Sequence, residues 1–348
     1  SCGGTVSAPS YREELMAAHR IRLGVVGAGI AARELHWPAL KVLSDLYEIV
    51  AVCNHNIGKA QSFAQLIGGT PIITTEYREL LQLPEVEAVD LTLPIILNAV
   101  AASDALHAGK HVIVEKPIAA TAEAGRAVVA EARAHPGLVF LVAENVRYER
   151  RFRIARGLID DGKIGRVVMI HGDVLQPVDP SNPYAQTGWR QTPEHLGGFL
   201  SDGGVHQTAA MHLLGGAVES VQGMTASFDR DSDIPDTLLM NLRFSSGAIG
   251  HLTYSVGIFE EEPAPFRVFG TAGTLTVQDD RIRVITEEGS KDVPVESEPN
   301  GFELEFRDFY QAIVEGKRLD VQPLDALDDL LVVDAGFRSF REGKTVSL

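Results

Sequence analysis

Residues Ile21–Leu40 read IRLGVVGAGIAARELHWPAL, an apolar run that breaks at two glycines and continues as a helical pattern. Arg22 to Val26 has the composition of a buried strand, and Gly27-Ala28-Gly29-Ile30-Ala31-Ala32 fits the dinucleotide fingerprint G-x-G-x-x-G/A. In that arrangement Gly27 permits a tight turn, Gly29 lets the backbone approach a pyrophosphate, and Ala32 is small enough for helix to pack on strand. The amides at the helix start, at Ile30 and Ala31, would face the anion. A glycine-rich turn is also common without any ligand, so the surrounding pattern has to decide.

That pattern is an alternation of strands and helices. Glu48 to Cys53 is nearly all apolar, as in a parallel sheet, and Asn56 to Ile67 is a helix closed by Gly68-Gly69. Ile72–Thr74, Ala88–Thr92, His111–Glu115 and Leu138–Val142 are further strands, with helices at 77–81, 95–108 and 121–135. Such an order implies right-handed crossovers and a doubly wound parallel (Rossmann) sheet over residues 1–143, with 1–20 an N-terminal extension. From Val167 onward strands follow one another: 167–173, 218–228, 237–244, 248–256, 266–270 and 275–278. Residues 144–348 are therefore expected to form an α+β domain around a large, mostly antiparallel open sheet. Helices at 149–161, 202–214, 302–314 and 324–340 would cover its inner face. In Leu238, Met240, Leu242 and Phe244 the apolar side chains fall on one face.

Ligands of doubly wound sheets bind beyond the carboxyl ends of the strands. After the second strand, Asn54 stands where an acidic residue would hold the ribose 2'-hydroxyl of NAD. An amide does not repel a 2'-phosphate, and His55 with Lys59 would attract one, so the reading leans to NADP, with NAD as the alternative. The fourth strand ends at Thr92-Leu93-Pro94 and the fifth at Glu115-Lys116-Pro117. A residue before proline is held extended, which aims Lys116 at the cleft.

Composition bounds the remainder. The 348 residues suit two domains, and a formal net charge of -16 argues against a nucleic-acid partner. Arg147, Arg150, Arg151, Arg153 and Arg156 read as one solvated helix face. No apolar run is long enough for a membrane span, and Ser1 to Ser10 has no signal-peptide character, so a cytoplasmic location is expected. Of the two cysteines, Cys53 reads as a core residue and Cys2 as part of a tail. His195, His206 and His212 lack clustered carboxylates or cysteines, so no metal site is expected.

The run from Val86 to Asp90 and from Ala108 to Pro117, AGKHVIVEKP, resembles the glucose-fructose oxidoreductase, inositol dehydrogenase and rhizopine-catabolism family (Gfo/Idh/MocA). LIDDGKIGRV at 158–167, GGFLSDGGVH at 197–206, GTAGTL at 270–275 and FRDFYQAIVEG at 306–316 are similar to later family segments. The resemblance covers the chain from about residue 21 to its end. It implies reversible hydride transfer between a nicotinamide and a carbinol or carbonyl carbon of a sugar, polyol or related small molecule. It also implies a homodimer or homotetramer built through the C-terminal sheet. A non-catalytic dinucleotide-binding sensor of the same family is the alternative.

Within that frame the chemistry concentrates in Lys116, Asp202 and His206. Residues i and i+4 share a helix face, so Asp202 is expected to orient His206, the candidate base, or to bind a neighbouring hydroxyl. Lys116 would stabilise a developing alkoxide, with Glu115 beside it. An isolated D-x-x-x-H pair is otherwise an exposed ion pair or a cap. Asn145 and Arg147 either contact the substrate or tie the two domains together. The long loop at 176–195 carries Tyr184, Trp189 and Arg190, which suit the faces of a sugar; Trp189 reads equally as a buried anchor. Two positions depart from the family pattern, Ala209 in place of an Asp and Asn98 after Thr92-Leu93-Pro94.

Overall fold

The computed structural model describes residues 19–179, 181–195, 197–228, 234–260 and 265–348. Cys2 and the turn expected ahead of the first strand lie outside them, apart from His19 and Arg20. Strands β1 (Ile21–Val26), β2 (Tyr47–Cys53), β3 (Ile72–Thr74), β4 (Ala88–Leu91), β5 (His111–Glu115) and β6 (Phe140–Ala143) form a six-stranded sheet in the order β3-β2-β1-β4-β5-β6. All of its pairings are parallel. The order reverses direction between β1 and β4, so their carboxyl ends open a crevice at that point. Helices α1 (Trp37–Val42), α2 (Ile57–Ile67), α3 (Tyr77–Leu81), α4 (Ile95–His107) and α5 (Ala122–Ala134) make the crossovers. Their limits follow local chemistry: Asn56 and Thr121 side chains accept from the amides of Lys59 and Ala124, capping α2 and α5.

The second layer is a nine-stranded sheet. In it β7 (Val167–Leu175), β8 (Val218–Ala226), β9 (Thr237–Phe244), β10 (Ile249–Ser255), β11 (Phe266–Gly270), β12 (Gly273–Val277), β13 (Arg281–Thr286), β14 (Gly289–Pro294) and β15 (Val346–Ser347) lie in the order β14-β13-β12-β11-β7-β10-β9-β8-β15. Only β7 and β10 pair in parallel. The alternation expected in β9 is present, since Leu238, Met240, Leu242 and Phe244 are buried. The hairpin β13-β14 was not anticipated: GSKDVP at 289–294 is exposed on almost every residue and carries no apolar alternation. Helices α6 (Arg150–Asp160), α7 (Gly188–Gln191), α8 (Phe199–Asp202), α9 (Gly204–Gly215), α10 (Gly301–Tyr310) and α11 (Pro323–Glu342) complete the chain. The single helix expected from Asp202 is thus two, broken at Gly203. Four of the five clustered arginines behave as a solvated face, with Arg150, Arg151, Arg153 and Arg156 each paired to an acidic side chain. Among the described residues no helix is long and apolar enough to cross a membrane.

The helix α10 belongs to the later half of the sequence but packs on the first sheet. Phe306 and Phe309 share a core with Ile21, Leu23, Val25 and Ile113. The Tyr47 hydroxyl donates to the Phe306 carbonyl at 2.5 Å, and the Phe306 ring meets His36 and Tyr47 edge to face at 5.3 and 5.7 Å. Because Phe306 is fully buried, Phe306→Ala is expected to cost about 3–5 kcal/mol, read as a lowered denaturation midpoint in urea.

Candidate active site

At the crevice between β1 and β4 the chain turns at Gly27, whose φ of 101° is open to glycine alone. A Cβ there would stand 2.3 Å from the Thr92 carbonyl oxygen, so the turn closes only because none is present. Gly29 has nothing within 4 Å of the corresponding position, and this open space lies in the cleft where a pyrophosphate would approach. The cleft has a volume of about 760 Å³ and runs from this turn to the second sheet. The residues present therefore fit a dinucleotide.

On the first sheet's side, Gly27, Gly29, Ile30, Ala31, Asn54, His55, Lys59, Thr92, Pro94, Glu115 and Lys116 all line it. Asn54 is buried and accepts from the Asn56 amide at 2.9 Å, which fixes the turn after β2, while His55 and Lys59 are exposed. Asn98 is buried and donates to the carbonyls of Glu115 and Pro117, both at 2.8 Å, clamping the segment that carries Lys116. From the other half of the chain come Asn145, Tyr184, Trp189, Arg190, Asp202 and His206.

Arg147 is the exception. Its guanidinium is buried and donates to both oxygens of Asp329 at 2.8 and 2.6 Å, away from the cleft. Of the two readings of this residue, the structure shows the tie between chain segments and not the contact with a ligand. Its Nε and Nη2 are engaged there, Nη2 also donating to the Asp325 carbonyl at 3.1 Å.

The arrangement of the central groups also differs from the expected pair. Asp202 ends α8, Gly203 turns the chain, and His206 lies in α9, so the two side chains do not bond each other. A Cβ at Gly203 would lie 2.0 Å from the Tyr254 hydroxyl, so this packing against β10 leaves room for glycine alone. Asp202 instead accepts from Lys116 Nζ at 2.8 Å and from Arg190 Nε at 2.7 Å. Burial alone would push its carboxyl up, but Lys116 and Arg190 outweigh that and hold it well below the usual carboxylate range. For Lys116, burial opposes the charge, while Asp202 and Glu115 more than restore it, so the ammonium is held as a cation. Arg190 also stacks on Trp189, its guanidinium carbon 3.9 Å from the ring centroid, and on Tyr184 at 4.9 Å.

The group that meets His206 is Glu144, whose Oε1 lies 2.5 Å from Nδ1. Glu144 is 1 % exposed and directly follows β6, so the pair ties the end of the first sheet to α9. A second network was equally unforeseen: His36 lies 2.9 Å from Asp90 and 3.1 Å from Glu115. Burial would lower the His36 pKa, but the two carboxylates outweigh it and raise it well above normal. Neither network had a motif to announce it, because its members come from elements distant in sequence. His195 and His212 have separate partners, the Gly198 carbonyl and Asp329. Among the described residues, the three potential metal ligands that lie together are His107, Glu131 and His135, all outside the cleft.

Because folding favours the Asp202 carboxylate, its pairing stabilises the protein above the unfolded pKa of about 3.9, and the benefit is lost as pH falls below that value. Asp202→Asn is expected to lower the thermal midpoint at pH 7, with a deficit that narrows as pH is taken toward 3. Melting curves of both proteins across that range check this.

Comparison with known proteins agrees with the geometry. Residues 21–143 match the model of an oxidoreductase family with an NAD-binding Rossmann fold, and residues 156–348 match that family's C-terminal alpha/beta domain. An uncharacterised protein of Saccharomyces cerevisiae is 34% identical over 337 residues, which are 92% of this chain and 95% of the relative. The crystal structure of an oxidoreductase from Thermotoga maritima superposes with a TM-score of 0.88 at 40% identity, covering 94% of this chain and 98% of that one. A levoglucosan dehydrogenase in complex with NADH and levoglucosan shares the fold, with a TM-score of 0.86 at 23% identity and coverage of 94% and 99%. The chain belongs to the Gfo/Idh/MocA oxidoreductase family and carries its NAD-binding Rossmann domain.

Proposed function

We propose that the protein is an NAD(P)-dependent oxidoreductase that interconverts a carbinol and a carbonyl on a sugar, polyol or related small molecule. The observation that carries this reading is the meeting of Lys116, Asp202, Arg190 and His206 in the same cleft as the Gly27–Ala31 turn. Residues 21–143 would hold the dinucleotide, and 144–348 would supply the substrate contacts and, through the second sheet, those of a dimer or tetramer. When bound, the nicotinamide accepts or supplies the hydride.

The remaining work falls to this chain. With Glu144 accepting from Nδ1–H, His206 keeps its lone pair on Nε2 and can take the alcohol proton. Lys116, held protonated by Asp202, offers a positive charge to the oxygen as it becomes an alkoxide. Asp202 is a poor base in this setting, since two cations hold its charge, and its task is to place Lys116 and Arg190. Tyr184 has a buried hydroxyl with no protein hydrogen-bond partner and Trp189 is a half-buried ring lining the cleft, a combination that suits a hydroxylated ring. At the far end, exposed His55 and Lys59 beside Asn54 favour a 2'-phosphate, hence NADP over NAD.

His206→Ala is expected to cut turnover by about 10² to 10⁴ while leaving dinucleotide affinity near normal. The assay is a panel of sugars and polyols screened with NAD and NADP. Nicotinamide fluorescence that responds to ligand with no absorbance change at steady state would instead mark a sensor. Replacing both His55 and Lys59 with Ala should raise KM for NADP by about tenfold and leave KM for NAD nearly unchanged.

A further inference from the structure

The chemistry above gives no task to Glu305, a fully buried ionisable group. Glu305 is 0 % exposed, and neither of its carboxyl oxygens meets a protein hydrogen-bond partner. It lies on α10 one turn beyond Phe302, which lines the cleft. The charged groups that face it are His36 ahead of α1, Asp90 on β4, Glu115 on β5 and Glu144 after β6, and the Tyr148 phenol lies within electrostatic reach of it. Glu144 shares part of this predicament. Its Oε1 is bonded to His206 and to the Val146 amide, but its Oε2 is buried without a partner.

Two buried carboxyls within electrostatic reach of each other cannot both stay ionised at an acceptable cost, and the one with cationic neighbours keeps the charge. Glu144 has His206 at 2.5 Å and feels Lys116 and Arg147. Glu305 has His36 alone, and that ring is already bonded on both nitrogens to Asp90 and Glu115. Burial accordingly pushes the Glu305 carboxyl far above its ordinary range.

We infer that Glu144 is a positioning residue that fixes the ring and tautomer of His206, and that Glu305, by remaining a neutral acid, leaves Glu144 as the charged carboxylate behind that base. The inference rests on the reading of His206 as the base. In the oxidation direction the carbinol C–H bond breaks with its electron pair leaving as hydride to the oxidised nicotinamide. The O–H bond breaks with its proton passing to His206 Nε2, a C=O bond remains, and Glu144 stays ionised beside the new imidazolium. The charge that appears on the ring is thus met by a group already in place.

The test uses the full chain and has readouts that need no turnover. In the cofactor-free protein, the His206 Nδ1 proton is expected as a far-downfield resonance coupled to labelled imidazole nitrogen. Glu144→Gln should move it upfield and Glu305→Gln should keep it; if Glu144→Gln fails to fold, Glu144→Asp carries the same comparison. With a substrate in hand, Glu144→Gln is expected to lower kcat by about 10²-fold with KM and dinucleotide affinity little changed, and Glu144→Asp to restore part of the rate. Glu305→Gln, neutral like the acid it replaces, should stay within about twofold. A carboxyl whose folded pKa is raised costs stability once pH exceeds its unfolded value of about 4.3, so the wild-type thermal midpoint should fall as pH rises above that, and Glu305→Gln should flatten the fall. An unchanged resonance in Glu144→Gln, or an unchanged rate while His206→Ala is inactive, would overturn the positioning role. A loss of tenfold or more in Glu305→Gln, or an unaltered pH slope, would overturn the neutral acid. If His206→Ala itself keeps full activity, the reading of the base fails, and the resonance and melting data still decide how Glu144 and Glu305 are charged.

Discussion

A single carboxylate, Asp202, draws together parts of the chain that are far apart in sequence. Lys116 leaves the end of a parallel strand in the first sheet, Arg190 comes from a short helix in a long loop, and both end on the two oxygens of Asp202. Each ion is buried or nearly so, and such charges are tolerable only as a mutually satisfied set. The positions of strand end, loop and helix start are therefore interdependent. The stacking of Arg190 on Trp189 and Tyr184 extends the same constraint to the aromatic wall of the cleft.

A second set of contacts holds the two sheets in register behind this cluster. The α10 helix lends Phe306 and Phe309 to the core of the first sheet, and Arg147 reaches from the end of β6 to Asp329 on α11. His212 lies 2.6 Å from the same Asp329, so that carboxylate answers two groups at once. Hydrophobic burial supplies the bulk of this association, while the directional bonds decide its angle, and the angle sets the distance from Gly29 to His206. The family segment that begins at Phe306 is thus as much a part of the dinucleotide-binding half as of the other.

Departures from the expected pattern have local causes. Ala209, where family members often carry an Asp, is fully buried in α9, where a charge would be stripped of water. Asn98, in place of a His, uses its amide to hold the carbonyls of Glu115 and Pro117, so it serves the Lys116 segment from behind. In the β13-β14 hairpin, β13 buries Ile282, while β14 stands at the sheet edge exposed on almost every residue and so had no hydrophobic signal. The need for glycine at 203 was hidden because it answers Tyr254, a side chain distant in sequence.

The sequence by itself determined the periodicities and the local motifs. Apolar runs with glycine punctuation specified the parallel sheet, the alternation in β9 specified a face, and Gly27 to Ala32 with Lys116-Pro117 specified where a dinucleotide would meet the chain. These are properties of neighbours, carried by backbone conformation and by side chains that repeat at two or three to four residues. Tertiary structure alone decided the partners: Asp202 with Lys116 and Arg190, His206 with Glu144, Arg147 with Asp329, and the two carboxyls Glu144 and Glu305 buried within reach of each other. Ionic and hydrogen-bonding partners are chosen by proximity in space and by the shortage of water around them, and neither is encoded by spacing along the chain.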